Sequence, residues 1–248
     1  MQDQFSRLRM LLGEDGISRL RNSRVAVFGL GGVGSYAVEA LARSGIGALD
    51  LIDPDVYTLT NLNRQLFATA RTLGRPKAEV AAERVLEINP ACRVTPRCEY
   101  YLPDTASLFD FSRVDYIVDA VDTVTAKLLM AQKAQEAGTR IISAMGTGNK
   151  LDPSLLKVGD ISETAVCPLA RIMRSECRKR GIRQLKVVWS EEPPLRPLPE
   201  EAPDSEEHSA AGGIRRDTPG SSAFVPAAAG LIIASEVVRD LLRLREET

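Results

Sequence analysis

The stretch Val25-Ala26-Val27-Phe28-Gly29-Leu30-Gly31-Gly32-Val33-Gly34 decides the fold, because a short β-branched apolar run stops there at a cluster of glycines and a helix-type pattern begins. It reads as a strand, a tight turn and a helix N-terminus. Gly29, Gly31 and Gly34 fit the spacing G-x-G-x-x-G, which lets the backbone turn sharply and approach a phosphate, while unpaired N–H groups at the start of the following helix attract the anion. The next apolar run, residues 48–52, ends at Asp53, about 20 residues on, the spacing of an acid that holds a ribose. The unit is a nucleotide-phosphate cradle inside a βαβ fold.

Working outward, Val33, Ala37, Ala40 and Leu41 share one helical face and Gly45 ends that helix. Upstream, Phe5, Leu8, Leu11, Leu12, Ile17 and Leu20 recur among arginines, which predicts one or two short amphipathic helices covering a sheet edge. Downstream, residues 53–65 are too polar and irregular for a core helix. A helix starts at Pro76, which suits a first turn, and runs to about Ile88 with Lys77 in that turn. Residues 93–101, 114–118 and 140–144 read as strands, and residues 124–137 as a helix that stops at Gly138. Beyond residue 150 the pattern loosens to strands at 155–158 and 185–189 and helices at 168–180 and about 227–245. The last of these turns Leu231, Val238, Leu241 and Leu242 toward a core or a partner. The whole predicts an α/β class, a doubly wound, mostly parallel Rossmann-like sheet with an irregular C-terminal extension.

The chain's 248 residues, 44% hydrophobic and 26% charged, form an ordinary soluble composition with room for one sizeable core. A net charge of −1 confers no general affinity for nucleic acid or membrane, so a polyanion site has to come from local clustering. Residues 169–186 supply one, with seven basic side chains against the single acid Glu176; Arg171, Arg174, Arg178 and Arg180 are the candidate phosphate contacts. Residues 190–222, proline-rich and acidic, predict a long mobile surface loop, and His208 within it has no assigned role. Cys92, Cys98, Cys167 and Cys177 lack C-x-x-C spacing, which excludes a zinc framework and fits a reduced, cytoplasmic compartment. Cys167 reads as a buried small residue rather than a nucleophile. Neither a signal peptide nor a membrane span is expected, since the N-terminus is charged and the apolar stretch 223–238 contains Pro226 and Glu236.

A glycine turn followed by an acid serves NAD or ATP alike, so the charges that follow decide. Breaking the α–β bond of ATP requires partners for phosphoryl oxygens, and Asn61, Arg64, Gln65 and Lys77 supply them. Asp122, with Asp119 as a second candidate, offers the carboxylate oxygen that Mg²⁺ prefers.

Gly29-Leu30-Gly31-Gly32-Val33-Gly34, Asp53-Pro54-Asp55, Asn61-Leu62-Asn63-Arg64-Gln65, Gly74-Arg75-Pro76-Lys77 and Asp119-Ala120-Val121-Asp122, in order over roughly residues 5–150, resemble the adenylation core of the ubiquitin-activating-enzyme-like (ThiF/MoeB/HesA) superfamily. The resemblance implies ATP and Mg²⁺, adenylation of a carboxylate with release of pyrophosphate, and Gly32 and Asp55 as further nucleotide contacts. It also implies a homodimer in which an N-terminal arginine, by position Arg7, reaches the partner's ATP site; catalytic roles then fall to Arg7, Arg64, Lys77 and Asp122. It makes residues 1–248 a single adenylation domain, with an ATP-binding core over 1–150 and a substrate- and dimer-side extension over 151–248.

Residues 40–47 and 88–94, Leu151-Asp152-Pro153, and Asp160-Ile161-Ser162 with Cys167-Pro168-Leu169-Ala170 are most similar to the tRNA threonylcarbamoyladenosine dehydratase branch. That branch implies activation of the threonyl carboxylate on tRNA and ring closure by the side chain's own carbamoyl group. Relatives that activate the C-terminal glycine of a ubiquitin-like sulphur carrier commonly carry two C-x-x-C pairs, absent here; such an activator is the first alternative, and an NAD-dependent oxidoreductase the second. The chain departs from some members of the branch in having serines at Ser221 and Ser222 where they carry a cysteine. Participation of a cysteine desulfurase or sulphur-acceptor protein stays open.

Overall fold

The computed structural model describes residues 3–198 and 219–243. Its sheet is built on β1 (Arg24–Phe28), where Val25 and Val27 face one side, Ala26 and Phe28 the other, and all four are buried. The remaining strands are β2 (Ala48–Ile52), β3 (Arg93–Arg97), β4 (Tyr116–Asp119), β5 (Arg140–Ala144), β6 (Leu156–Asp160) and β7 (Lys186–Ser190). They lie in the order β3-β2-β1-β4-β5-β7-β6, parallel throughout except where β6 runs against β7. Chain direction reverses its winding between β1 and β4, and the crevice at that point is where open α/β sheets bind ligands.

Helices cover both faces. On one side α2 (Gly34–Arg43), α3 (Lys77–Ile88) and α6 (Val225–Arg243) close the main core around Val27, Leu51 and Val118. On the other, α4 (Val124–Ala137) and α5 (Pro168–Lys179) pack with Ile117, Met145, Val187 and Trp189. Among the described residues no helix is long and apolar enough to cross a membrane.

The structure bears on four of these expectations. The N-terminal segment is one helix, α1 (Ser6–Arg21), broken at Gly13 (φ 69°, ψ 178°), and it lies against α6 rather than at a sheet edge: Arg19 donates to the Leu242 carbonyl at 2.5 Å. β3 stops at Arg97, because Tyr101 leaves the ladder to join Phe28, 5.1 Å away between ring centroids, and Phe111. Leu231 is half exposed, since Gly230 is the position that meets α2: a Cβ there would lie 2.3 Å from the Val33 carbonyl oxygen. The mobile-loop expectation over 190–222, and His208 with it, falls largely on residues 199–218, outside the described residues. Residues 219–222 bind back onto two loops, Asn149 N–H donating to the Gly220 carbonyl (2.7 Å) and the Asn63 amide to the Ser221 carbonyl (2.9 Å).

Candidate nucleotide site

The glycine turn lies at the crevice between β1 and β4. Gly29 has φ 85°, and a Cβ there would strike the Ala120 carbonyl oxygen at 2.6 Å; one on Gly34 would lie 1.8 Å from the Gly29 carbonyl oxygen. Both glycines are therefore required by close backbone approach. At Gly31 an added Cβ would meet nothing nearer than the Gln65 amide nitrogen at 3.6 Å, an ordinary contact, so this position of the turn faces Gln65 without crowding. Arg64 reaches over the same turn, its Cγ 3.5 Å from where Gly32 would carry a Cβ.

Asp53 follows β2 and is 5% exposed. Its carboxylate accepts from Leu30 N–H (2.6 Å) and Asp55 N–H (2.9 Å), which ties the acid to the glycine turn. Burial pushes the Asp53 carboxyl above its ordinary range, against the opposing charge of Lys77 and the two N–H bonds. Lys77 comes to this acid because the strand-like stretch around Val56 bridges Pro76, with Lys77 N–H donating to the Asp55 carbonyl at 2.9 Å. The buried ammonium then lies 3.0 Å from Asp55 and 3.9 Å from Asp53. Among the described residues only one of its three protons is hydrogen-bonded, to Asp55.

Arg64 donates from Nη1 to the Thr60 carbonyl (2.8 Å) and to Asn63 (3.1 Å), and its Nη2 and Nε are uncommitted among the described residues. Gln65 is buried, and its Oε1 has no hydrogen-bond partner among the described residues. Asn61 is also buried, but its Oδ1 accepts from Thr58 N–H (3.2 Å) to close a 3₁₀ turn, so this oxygen is turned inward to the protein. Spare protons on a buried lysine and an uncommitted guanidinium edge beside the glycine turn fit a polyphosphate, whereas the Gln65 oxygen, an acceptor, suits a hydroxyl or amino donor of a nucleotide.

Asp122 is exposed on the loop after β4, two residues beyond the peptide that packs on Gly29. No group of three or more metal-ligating side chains occurs among the described residues, so a Mg²⁺ here would rest on Asp122, phosphate oxygens and water. The structure does not bring Arg7 to this cradle. Phe5 packs its ring 3.3 Å from where Gly45 would carry a Cβ, at the opposite end of α2 from the glycine turn, and Arg7 sits exposed beside it.

The basic segment divides. Arg174 is turned inward, donating to the Thr164 carbonyl (2.5 Å) and hydroxyl (2.7 Å), and Lys186 pairs with Glu236 and Asp240 of α6. Arg180 and Lys179 share Glu176, while Arg171, Arg178 and Arg183 are exposed. Cys167 is buried, as expected.

Sequence reasoning missed Lys127 and Ser143, both fully enclosed beneath the site with Asp119. Lys127 occupies a core position of α4, in the i, i+3, i+4, i+7 row with Met130, Ala131 and Ala134, and a lysine in such a row is the signal that was available.

A doubly wound sheet whose crossover point carries a glycine turn, a buried acid and a lysine with protons to spare defines a nucleotide-binding α/β protein. The chain belongs to the ThiF family, whose description matches residues 5–248. It is 41% identical over 246 residues to the tRNA threonylcarbamoyladenosine dehydratase of Bacillus subtilis, covering 98% of this chain and 96% of that one. Among solved structures, Escherichia coli tRNA N6-threonylcarbamoyladenosine dehydratase, TcdA, in complex with AMP superposes with a TM-score of 0.86 at 30% identity, covering 99% of this chain and 96% of that one. The same E. coli protein in complex with ATP matches with a TM-score of 0.86 at 29% identity and the same coverage.

Proposed function

We propose that this protein is an ATP-dependent enzyme that dehydrates threonylcarbamoyladenosine in tRNA, adenylating its carboxylate and closing the side chain into a ring. The observation that carries the reading is that the whole chain, its extension beyond residue 150 included, matches dehydratases at 30–41% identity around a cradle that fits a polyphosphate.

In this reading Gly29 to Gly34 and the N-terminus of α2 hold the phosphates, and Asp53 accepts from the ribose. Lys77 and Arg64 neutralise phosphoryl charge as a threonyl carboxylate oxygen attacks the α-phosphorus and the bond to pyrophosphate breaks. The carbamoyl group of the same side chain then attacks the acyl carbon and AMP departs, so the oxygen of the lost water leaves on AMP. Asp122 would hold Mg²⁺, which supplies charge neutralisation at the phosphates. The chemistry needs neither an enzyme thiol nor a sulphur-transfer partner, and burial pushes the Cys92 and Cys177 thiols up to about 11.

Arg7, remote from its own cradle, serves the site of a second copy in a homodimer. The exposed cations of α5 meet tRNA phosphates, and the protein acts in the cytoplasm as one adenylation domain. Incubation with tRNA bearing the modified adenosine and ATP, followed by mass spectrometry of the nucleosides, tests the reading: loss of one water with AMP formation supports it. Pyrophosphate exchange that ignores tRNA but responds to a carrier protein overturns it.

A further inference from the structure

One enclosed charge pair has no part in the chemistry above. Asp119 ends β4 and Lys127 lies on α4; both have no exposed surface, and they approach to 3.1 Å. The Lys127 ammonium also donates to Ser143 Oγ (3.1 Å) and to the Ala144 carbonyl (2.7 Å) at the end of β5. Ser143 Oγ donates to the second Asp119 oxygen at 2.5 Å, and the first also accepts Val121 N–H at 3.3 Å. An enclosed ion pair contributes little stability over an apolar core, so its value lies in what it holds in place. Directly after Asp119 comes Ala120, whose N–H donates to the Phe28 carbonyl (2.8 Å) and whose own carbonyl packs against Gly29; Asp122 follows. Directly after Ala144 comes the segment that reaches Asn149 and the 219–222 strap.

We propose that Lys127 is a positioning residue that ties the ends of β4 and β5 together from beneath and so fixes the Ala120–Asp122 loop against the glycine turn. Its effect on rate rests on the reading of Asp122 as the Mg²⁺-side carboxylate; its effect on the loop does not.

The test compares full-length Lys127→Met, the double variant Asp119→Asn/Lys127→Met, and Asp122→Ala. The readouts are thermal unfolding, hydrogen exchange of the 120–122 amides, and the Mg²⁺ dependence of tRNA-dependent pyrophosphate release. Lys127→Met alone strands the Asp119 carboxylate and lowers the melting temperature, whereas the neutral double variant regains most of it. With that stability regained, the double variant still exchanges the loop amides about tenfold faster and requires severalfold more Mg²⁺. Wild-type exchange in the folded double variant overturns the proposal, the pair then being a core fixture only. Should the double variant not fold, Ser143→Ala removes one bridge of the clamp and carries the same exchange readout at about threefold. A wild-type Mg²⁺ response in Asp122→Ala would refute the reading of Asp122, and the exchange result then decides the clamp by itself.

Discussion

Two buried lysines, Lys77 and Lys127, stand beside aspartates at the same edge of the sheet, and they differ in what their other protons do. Lys127 uses all three, on Asp119, Ser143 and Ala144. Lys77 uses one, on the half-exposed Asp55, and stands 3.9 Å from the Asp53 carboxylate that burial pushes toward protonation. A saturated pair is scaffolding, and an unsaturated one beside the glycine turn is suited to receive charge from a ligand.

The sharpest way to break this comparison is to remove each ammonium in turn. Lys127→Met leaves an enclosed carboxylate unpaired and should lower stability by about 3–5 kcal/mol. Lys77→Met should lower it by no more than about 1–2 kcal/mol, because Asp53 keeps its bonds from Leu30 and Asp55. On AMP formation Lys77→Met should cost about 10²–10³-fold, the scale of one lost electrostatic stabiliser, and Arg64→Ala and Asp122→Ala the same. Denaturant unfolding and pyrophosphate release measure the two effects; a Lys77→Met protein that is the less stable of the pair would erase the distinction.

Arg7 extends the comparison to a cation with no side-chain partner among the described residues. If it completes the cradle of a second copy, Arg7→Ala and Arg64→Ala are each inactive alone, and a mixture regains activity through dimers with one intact site, about a quarter of wild type after random exchange. Activity that stays absent after subunit exchange has been demonstrated by mass spectrometry would place Arg7 in its own subunit's site or away from ATP, and refute the exchange of arginines between copies.

The open half of the site was the legible half. Gly29, Gly34, Asp53 and Lys77 lie in short local spacings, each with a backbone reason that operates within a few residues of chain: a turn, a strand end, a first helical turn after Pro76. What brings Lys77 to Asp53, the bridge of Val56 to Pro76, is tertiary and left no pattern. Lys127 was hidden for the opposite reason: its partners come from three separate elements, and a helix row containing one lysine still reads as a core face. The insertion of β7 between β5 and β6, like the docking of α1 on α6, depends on pairings distant in the chain, which periodicity does not encode. Arg174 illustrates the limit for charge runs, because composition counts an inward cation and an outward one alike.

That difference within α5 gives the next test. Arg171→Gln, Arg178→Gln and Arg180→Gln together should weaken tRNA binding across sequences and flatten the salt dependence by about 2–3 units of slope, at 0.7–0.9 per lost phosphate contact, with ATP binding unchanged. Arg174→Gln, which disturbs the Thr164 contacts, should leave the salt slope alone and lower the melting temperature instead. Filter binding over a salt series separates them, and a triple variant with the wild-type slope would place the tRNA surface elsewhere.

The smallest effect belongs to a pair of intermediate burial, Asp240 with Lys186, which joins α6 to β7. Asp240 accepts from Lys186 Nζ at 2.8 Å and from the Tyr116 hydroxyl at 2.7 Å. Burial works to raise the Asp240 carboxyl, but the bonds from Lys186 and Tyr116 and the charges of Lys186 and Arg140 outweigh it, so the carboxyl lies below its ordinary value of 3.8. A group whose folded value is depressed adds stability that is fully present above the unfolded value and is lost as pH falls through the lower folded one. Asp240→Asn should therefore lower stability at pH 7 by about 1–2 kcal/mol, reduced from the usual charged hydrogen bond because Lys186 is partly exposed and keeps Glu236 at 2.5 Å. That is a drop of about 2–8 °C in melting temperature for a chain of this size. The gap between wild type and variant should hold from pH 7 down to about pH 5 and close as the carboxyl protonates below the ordinary value of 3.8. A gap that stays constant to pH 3 would mean that Asp240 acts through shape and neutral hydrogen bonding, which would place it with the saturated Lys127 network as scaffolding rather than with charge.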